Sequence, residues 1–211
     1  MDVGDSGRRG SQRAILALAL LAFGLVAAAC ASHRPQGAGG AAKATVNKAF
    51  RAYNANGDLA VTVADVAPGS CWTTSIAAAV PGAYRCLSGN QILDPCFAAP
   101  AKPGPVEVAC LETPWSQATV LHLTGALPKP DPADDGDSSA RPWAFELDNG
   151  VRCVASTGTV PAVQGVSLGY HCLDGRAAAL LDPSATPMTA DYGDPRTQSL
   201  QPVTVTTIWR G

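Results

Sequence analysis

The sequence predicts a mainly β domain, a small sandwich or barrel-like sheet stapled by disulfides. Three observations carry this. Short β-branched or alternating apolar runs recur from residue 59 onward. The 17 Pro and 21 Gly of the chain punctuate those runs with turns. Six cysteines, Cys71, Cys86, Cys96, Cys110, Cys153 and Cys172, form an even set. No βαβ alternation and no repeat of fixed period is visible, which leaves antiparallel β architectures.

Taken in order, Thr45 to Tyr53 reads as a short N-terminal helix with Val46, Phe50 and Tyr53 on one face. Asn54-Ala55-Asn56-Gly57 would stop it. Leu59–Val63 alternates and is β-branched, and Val106–Ala109 and Thr119–Thr124 read the same way. The clearest hairpin is Trp143–Leu147 followed by Val151–Val154. Asn149-Gly150 between them tolerates the positive φ angles of a type I′ turn. Gly169–Leu173, Ala178–Leu181 and Val203–Trp209 complete the expected strands. Pro128–Pro142 is a polar loop with Asp131, Asp134, Asp135 and Asp137. It lacks the alternating ligand register, central Gly and closing Glu of a calcium loop, so a solvated surface loop is expected.

Six cysteines allow fifteen pairings, and sequence alone does not choose among them. Joining neighbours, Cys71–Cys86, Cys96–Cys110 and Cys153–Cys172, closes short loops. Each such bond contributes up to about 3 kcal/mol by restricting the unfolded chain. A zinc site or a thiol redox centre calls for Cys-x-x-Cys spacing, which does not occur. No metal and no cofactor is expected. The charge is bland, 15 Lys and Arg against 17 Asp and Glu, for a net of −2. The basic residues are scattered, which argues against nucleic acid as a partner.

The N-terminus is organised differently. Arg8, Arg9 and Arg13 precede an uncharged run from Ala14 to Ala29, rich in Leu and Ala. That pattern is a signal peptide, and it is shorter than the roughly 20 residues of a spanning helix. Arg8-Arg9 also hints at twin-arginine export, but Gly10-Ser11-Gln12 replaces the apolar residues expected next. Val26-Ala27-Ala28-Ala29-Cys30 resembles the bacterial lipobox, with Ala27 where Leu is commoner. The resemblance implies cleavage before Cys30 and fatty acylation (palmitate-type chains) of its thiol. Two or more chains give stable membrane attachment. The expected organisation is a signal peptide over 1–29, a lipidated Cys30 with a flexible tether over 30–44, and a β-rich extracytoplasmic domain over 45–211. The tether would hold the domain roughly 20 Å from the lipid surface.

Motifs that carry chemistry are sparse. Gly165-Val166-Ser167-Leu168-Gly169 matches G-x-S-x-G. A nucleophile elbow needs a strand before it, a helix after it, and Asp then His downstream. His171 stands only four residues beyond Ser167, about 13 Å away in an extended segment. A Gly-rich turn is therefore expected. His122 and His171 read as structural residues, although imidazole suits acid–base work near neutrality. Asp94, Glu112, Glu146, Asp148, Asp174 and Asp182 are the carboxylates from which a hydrolytic pair would be drawn, and the sequence brings no two together. Asp94-Pro95, Asp182-Pro183 and Asp194-Pro195 look like turn initiators. Trp72, Trp143 and Trp209 sit in apolar stretches and read as core. Trp115, in Thr113-Pro114-Trp115-Ser116, is the candidate exposed binding aromatic, weighed against packing in the core or at its rim, which is the favoured reading.

Gly69-Ser70-Cys71-Trp72-Thr73, Ala83-Tyr84-Arg85-Cys86, Ile92-Leu93-Asp94-Pro95-Cys96-Phe97 and Glu146-Leu147-Asp148-Asn149-Gly150-Val151-Arg152-Cys153 together resemble an exported actinobacterial lipoprotein domain with six extracytoplasmic cysteines. The resemblance implies a fixed disulfide framework and brings no catalytic residues. The expected function is a membrane-anchored binding, sensing or scaffolding domain on the extracytoplasmic face of the cell membrane. Its partners would be the lipid through the anchor, and an envelope protein or glycan. The alternative is a small envelope hydrolase using carboxylates or His171, and whether the protein is an enzyme is left open.

Overall fold

The computed structural model describes residues 43–100, 106–129 and 141–210. Cys30, the export signal and the acidic part of the Pro128–Pro142 loop lie outside them. The described residues contain strands and no helix. They belong to one compact unit.

Five strands close a first barrel: β2 (Val63–Thr74), β3 (Ala83–Ser88), β4 (Gln91–Ala98), β5 (Glu107–Cys110) and β6 (Ala118–Leu123). Successive strands pair antiparallel, and a parallel β2–β6 pairing closes the circle. The remaining strands are β1 (Val46–Ala49), β7 (Ala144–Leu147), β8 (Arg152–Ala155), the small hairpin β9 (Ala162–Val163) and β10 (Val166–Ser167), β11 (Tyr170–Cys172), β12 (Ala177–Leu180), β13 (Thr189–Asp194) and β14 (Ser199–Arg210). Strands β7, β8, β11, β12, β13 and β14 follow one another around a second sheet, and β14 returns to pair with β7. Six strands thus form a closed ring, and β1 joins β14 in parallel.

The Thr45–Tyr53 helix is not formed. Residues 46–49 are strand β1, because the end of β14 offers free backbone groups that a four-residue strand satisfies without a helical nucleus. The Thr45 hydroxyl donates to the Val205 carbonyl at 2.7 Å and accepts the Met188 amide at 2.8 Å, which pins the entry. Asn54-Ala55-Asn56-Gly57 is a turn between the bridged residues Tyr53 and Leu59, with the Asn54 side chain accepting the Asn56 and Asp58 amides. The strand expected over Leu59–Val63 instead begins at Val63 and runs on through Gly69-Ser70-Cys71-Trp72.

Turn chemistry also differs from expectation. The β7–β8 hairpin is present, but at Asn149-Gly150 only Gly150 has positive φ, 81°. Gly150 N–H donates to the Leu147 carbonyl and Leu147 N–H to the Val151 carbonyl. This is the three-residue loop with a left-handed glycine, not a type I′ turn. The type I′ geometry occurs at Gln164-Gly165, with φ of 51° and 82°, between β9 and β10.

All three disulfides join neighbours: Cys71–Cys86, Cys96–Cys110 and Cys153–Cys172. Each links directly opposed residues on adjacent antiparallel strands. The barrel interior holds Tyr84, Val108 and Leu121 with Cys86, Cys96 and Cys110. The ring interior holds Phe145, Leu147, Tyr170, Tyr192, Val205 and Ile208. An aromatic cluster spans the junction. Phe50 after β1, Phe97 on β4 and Trp143 before β7 have centroids 4.8–5.5 Å apart in tilted and edge-on contacts.

Candidate binding cleft

Where the barrel meets the ring, a cleft of about 500 Å³ opens. Its barrel wall comes from Gln91–Asp94 of β4, the turn after β5 and Thr119 of β6. Its ring wall comes from Ala155, Thr157, His171 and Leu173. Neutral hydrogen-bonding side chains dominate the polar lining: Gln91, Gln117, Thr113, Ser116, Thr119 and Thr157. Ile92 and Leu173, 52 % and 56 % exposed, supply apolar surface, with Leu93 and Leu111 behind.

Local geometry fixes the turn after β5. Ser116 N–H donates to the Thr113 carbonyl at 3.2 Å, and the Ser116 hydroxyl donates to the same carbonyl at 2.9 Å. The Thr113 amide in turn donates to Ser116 Oγ at 3.1 Å. This is the local side-chain-to-backbone pattern that favours turns over helix. It holds Glu112 at the cleft wall and commits the Ser116 proton to the turn.

Three titratable groups line the cleft: Asp94, Glu112 and His171. Their states differ. The Asp94 side chain is only 2 % exposed. Its carboxylate accepts the Ser75 hydroxyl at 2.5 Å and the Ile76 amide at 3.3 Å, with Arg85 Nε 3.9 Å away. Burial raises its pKa, and the Ser75 hydroxyl, the Ile76 and Ala77 amides and the Arg85 charge pull it back. The group is saturated by its own scaffold. Asp94-Pro95 lies inside β4 and is not the expected turn; the pairing between β3 and β4 shifts register there, and that irregularity accommodates a residue without an N–H. Glu112 is exposed. His171 keeps an exposed edge, yet loss of water against the wall lowers its pKa, with Glu112 opposing that shift. Near neutrality the cleft therefore presents a neutral imidazole beside the Glu112 side chain, and among the described residues neither Lys nor Arg lines it.

The other candidate residues are placed apart. Glu146 lies beside Arg152, 3.9 Å from its Nε. Asp148 is in the exposed β7–β8 loop. Asp174 accepts the Tyr192 hydroxyl and lies beside Arg176. Asp182 accepts the Ser184 amide and hydroxyl at 2.8 and 2.6 Å, and Asp194 accepts the Arg196 amide at 2.8 Å; both are turn residues. Ser167 stands exposed on β10 and does not line the cleft. His122 Nδ1 is 3.0 Å from Glu107 Oε1, across the β5–β6 pair.

Of the four tryptophans, Trp72 departs from expectation, whereas Trp115 takes the rim packing weighed for it. Trp115 is half-buried: its ring packs edge-on against Trp209 at 4.8 Å, and the Arg152 guanidinium lies 4.9 Å from its centroid. Trp72 is 48 % exposed and is not core. The cause is the irregularity between Cys71 and Thr73, which inserts Trp72 as an extra residue and turns it outward. Trp143 and Trp209 are buried as expected.

Gln91, Gln117, Thr119, Thr157 and Leu173 went unmarked in the sequence, since no local motif links residues that only the junction of two sheets brings together. No family model, no curated protein and no solved structure matches the chain, so the six-cysteine resemblance rests on its motifs alone.

Proposed function

We propose that this chain is an exported lipoprotein, anchored through Cys30, whose domain binds a short neutral saccharide of the cell envelope in the junction cleft. The observation that carries the binding assignment is the lining. Neutral amides and hydroxyls set around an apolar rim match the alternating polar and apolar faces of a sugar. The volume falls in the range of roughly 300–1,000 Å³ typical of small-ligand sites. The saturated Asp94 carboxylate favours binding over hydrolysis, because a glycosidase needs two free carboxyls about 5–9.5 Å apart.

Calorimetry of the full chain with di- and trisaccharide fragments of the envelope tests the site. Binding that weakens at least about tenfold in Gln117→Ala, with the thermal melt unchanged, is the expected result. That loss is about 1.4 kcal/mol. No heat with any saccharide would refute it. For the anchor, the mature N-terminal peptide is expected to begin at an acylated Cys30, and Cys30→Ser to release the protein from membranes. Mass spectrometry showing an unmodified Cys30 would remove the anchor and leave the cleft assignment standing.

One observation favours the hydrolase alternative: Glu112 on the barrel wall and a neutral His171 on the ring wall line the same cleft. Turnover of those saccharides, abolished in His171→Ala while binding persists, would put it first.

A further inference from the structure

Four sulfur atoms gather inside the five-stranded barrel. The Sγ atoms of Cys86, Cys96 and Cys110 lie within 4.8 Å of one another. The fourth, Cys71 Sγ, is bonded to Cys86. Two disulfides, one between β2 and β3 and one between β4 and β5, therefore lie side by side. Their exposure is graded. Cys71 is half-buried, whereas Cys86 and Cys96 are fully buried and Cys110 nearly so. Beside Cys71, the exposed Trp72 carries the Arg85 guanidinium 5.8 Å from its ring centroid. Cys153–Cys172 lies in the ring, with both residues buried.

We propose that the barrel conducts thiol–disulfide exchange, with a dithiol from outside entering at Cys71 and the Cys86 sulfur passing the exchange on to the Cys96–Cys110 bond. Among the described cysteines Cys71 alone is not buried, so an outside thiolate enters there. In the first step the thiolate bonds to Cys71 Sγ, and the Cys71–Cys86 bond breaks with its electron pair leaving on Cys86. That thiolate emerges in the apolar interior, where an unpaired charge is costly. Apart from Cys71 Sγ, where attack only reverses the first step, its nearest electrophiles are the sulfurs of Cys96 and Cys110. In the second step it bonds to one of them and the other leaves as thiolate. The dithiol's second sulfur then displaces Cys71 from the mixed disulfide. The dithiol's two protons end on Cys71 and on the released Cys96 or Cys110. The dithiol is oxidised to its disulfide, the barrel gains two thiols, and one new bond, Cys86–Cys96 or Cys86–Cys110, replaces the original two. A Cys-x-x-Cys motif places its partner sulfur nearby along the chain; here the barrel places it nearby through space.

The test treats the folded full chain with limiting dithiothreitol, alkylates it, and maps the bonds by mass spectrometry. A free Cys71, a Cys86–Cys96 or Cys86–Cys110 link and an intact Cys153–Cys172 are expected. Opening of Cys96–Cys110 should be at least about tenfold slower in the Cys71→Ser/Cys86→Ser double variant, which lacks the internal attacker. The single variant Cys71→Ser, with a native circular dichroism spectrum, should form the new link without any reductant. The proposal is overturned if Cys71→Ser keeps Cys96–Cys110 with Cys86 free. It is equally overturned if the new link appears only in urea, or if Cys153–Cys172 opens first. None of these readouts depends on saccharide binding or on the anchor.

Discussion

Inside the five-stranded barrel, Tyr84, Val108 and Leu121 share the space with three half-cystines. Inside the six-stranded ring the space is filled by Phe145, Leu147, Tyr170, Tyr192 and Ile208, with one disulfide at the β8–β11 edge. Barrel residues Val66, Trp72 and Ile92 are each about half exposed. A closed sheet with few large inward side chains buries little apolar surface, so covalent bonds must supply what packing does not. The ring reaches closure through aromatic bulk. The contrast teaches that a closed sheet can be held by sulfur or by rings, and that the two halves should fail under different insults.

The largest effect should come from the ring. Phe145 is fully buried and meets Tyr170 edge-on at 4.8 Å. Phe145→Ala is expected to cost about 3–5 kcal/mol, read from urea melts. A loss under ~1 kcal/mol would show that the ring does not rest on its aromatics. Next is Cys96→Ala/Cys110→Ala in the barrel. This bond closes a 14-residue separation, and its removal should cost about 3 kcal/mol. Hydrogen exchange should then show protection lost in β4 and β5 while β11–β13 stay protected. Uniform loss would break the distinction between the halves.

A smaller effect belongs to the junction. The His171 pKa is lower in the folded chain than its ordinary 6.5. Well above pH 6.5 both states are neutral and stability does not change on its account. As pH falls below that value the unfolded chain takes up the proton first, so stability declines until the folded pKa is passed. His171→Gln should flatten the stability profile between pH 7 and 5, measured by chemical melts. An unchanged slope would show that the cleft wall does not desolvate the imidazole. The smallest effect concerns Tyr53. Its hydroxyl is buried without a hydrogen-bond partner among the described residues, and burial with the nearby Glu107 charge pushes its pKa to about 12. Tyr53→Phe should be neutral or stabilising by up to ~1 kcal/mol. A clear loss in the thermal melt would point to a bound water.

Fold class was legible because β-branched runs and turn residues are local signals, and the disulfide partners because neighbouring cysteines sit on neighbouring strands. The β3–β4 hairpin went unread, although Gly89-Asn90 offers a two-residue turn with Gly89 at φ 56°. Asp94-Pro95 looked like the end of an element and concealed the strand running through it. Residues 46–53 failed for another reason: their helical periodicity is genuine, but a distant strand edge outcompetes eight residues of marginal helix. The cleft was illegible because its walls meet only when barrel and ring are both closed.

Strand β14 borders β13 with its first half, and β7 and β1 with its second. Its partners are scattered along the chain, and the Thr45–Val205 contact spans 160 residues. Every hairpin of the domain can form within its own neighbourhood as the chain is synthesised. The ring cannot close until this strand arrives. Until then β7 and β13 each present a bare edge to neighbouring molecules, the exposure that leads to aggregation during slow β assembly. The moment of greatest hazard in the life of this protein is thus set by a single segment, and substitutions there should reduce yield more than they reduce the stability of molecules that have already folded.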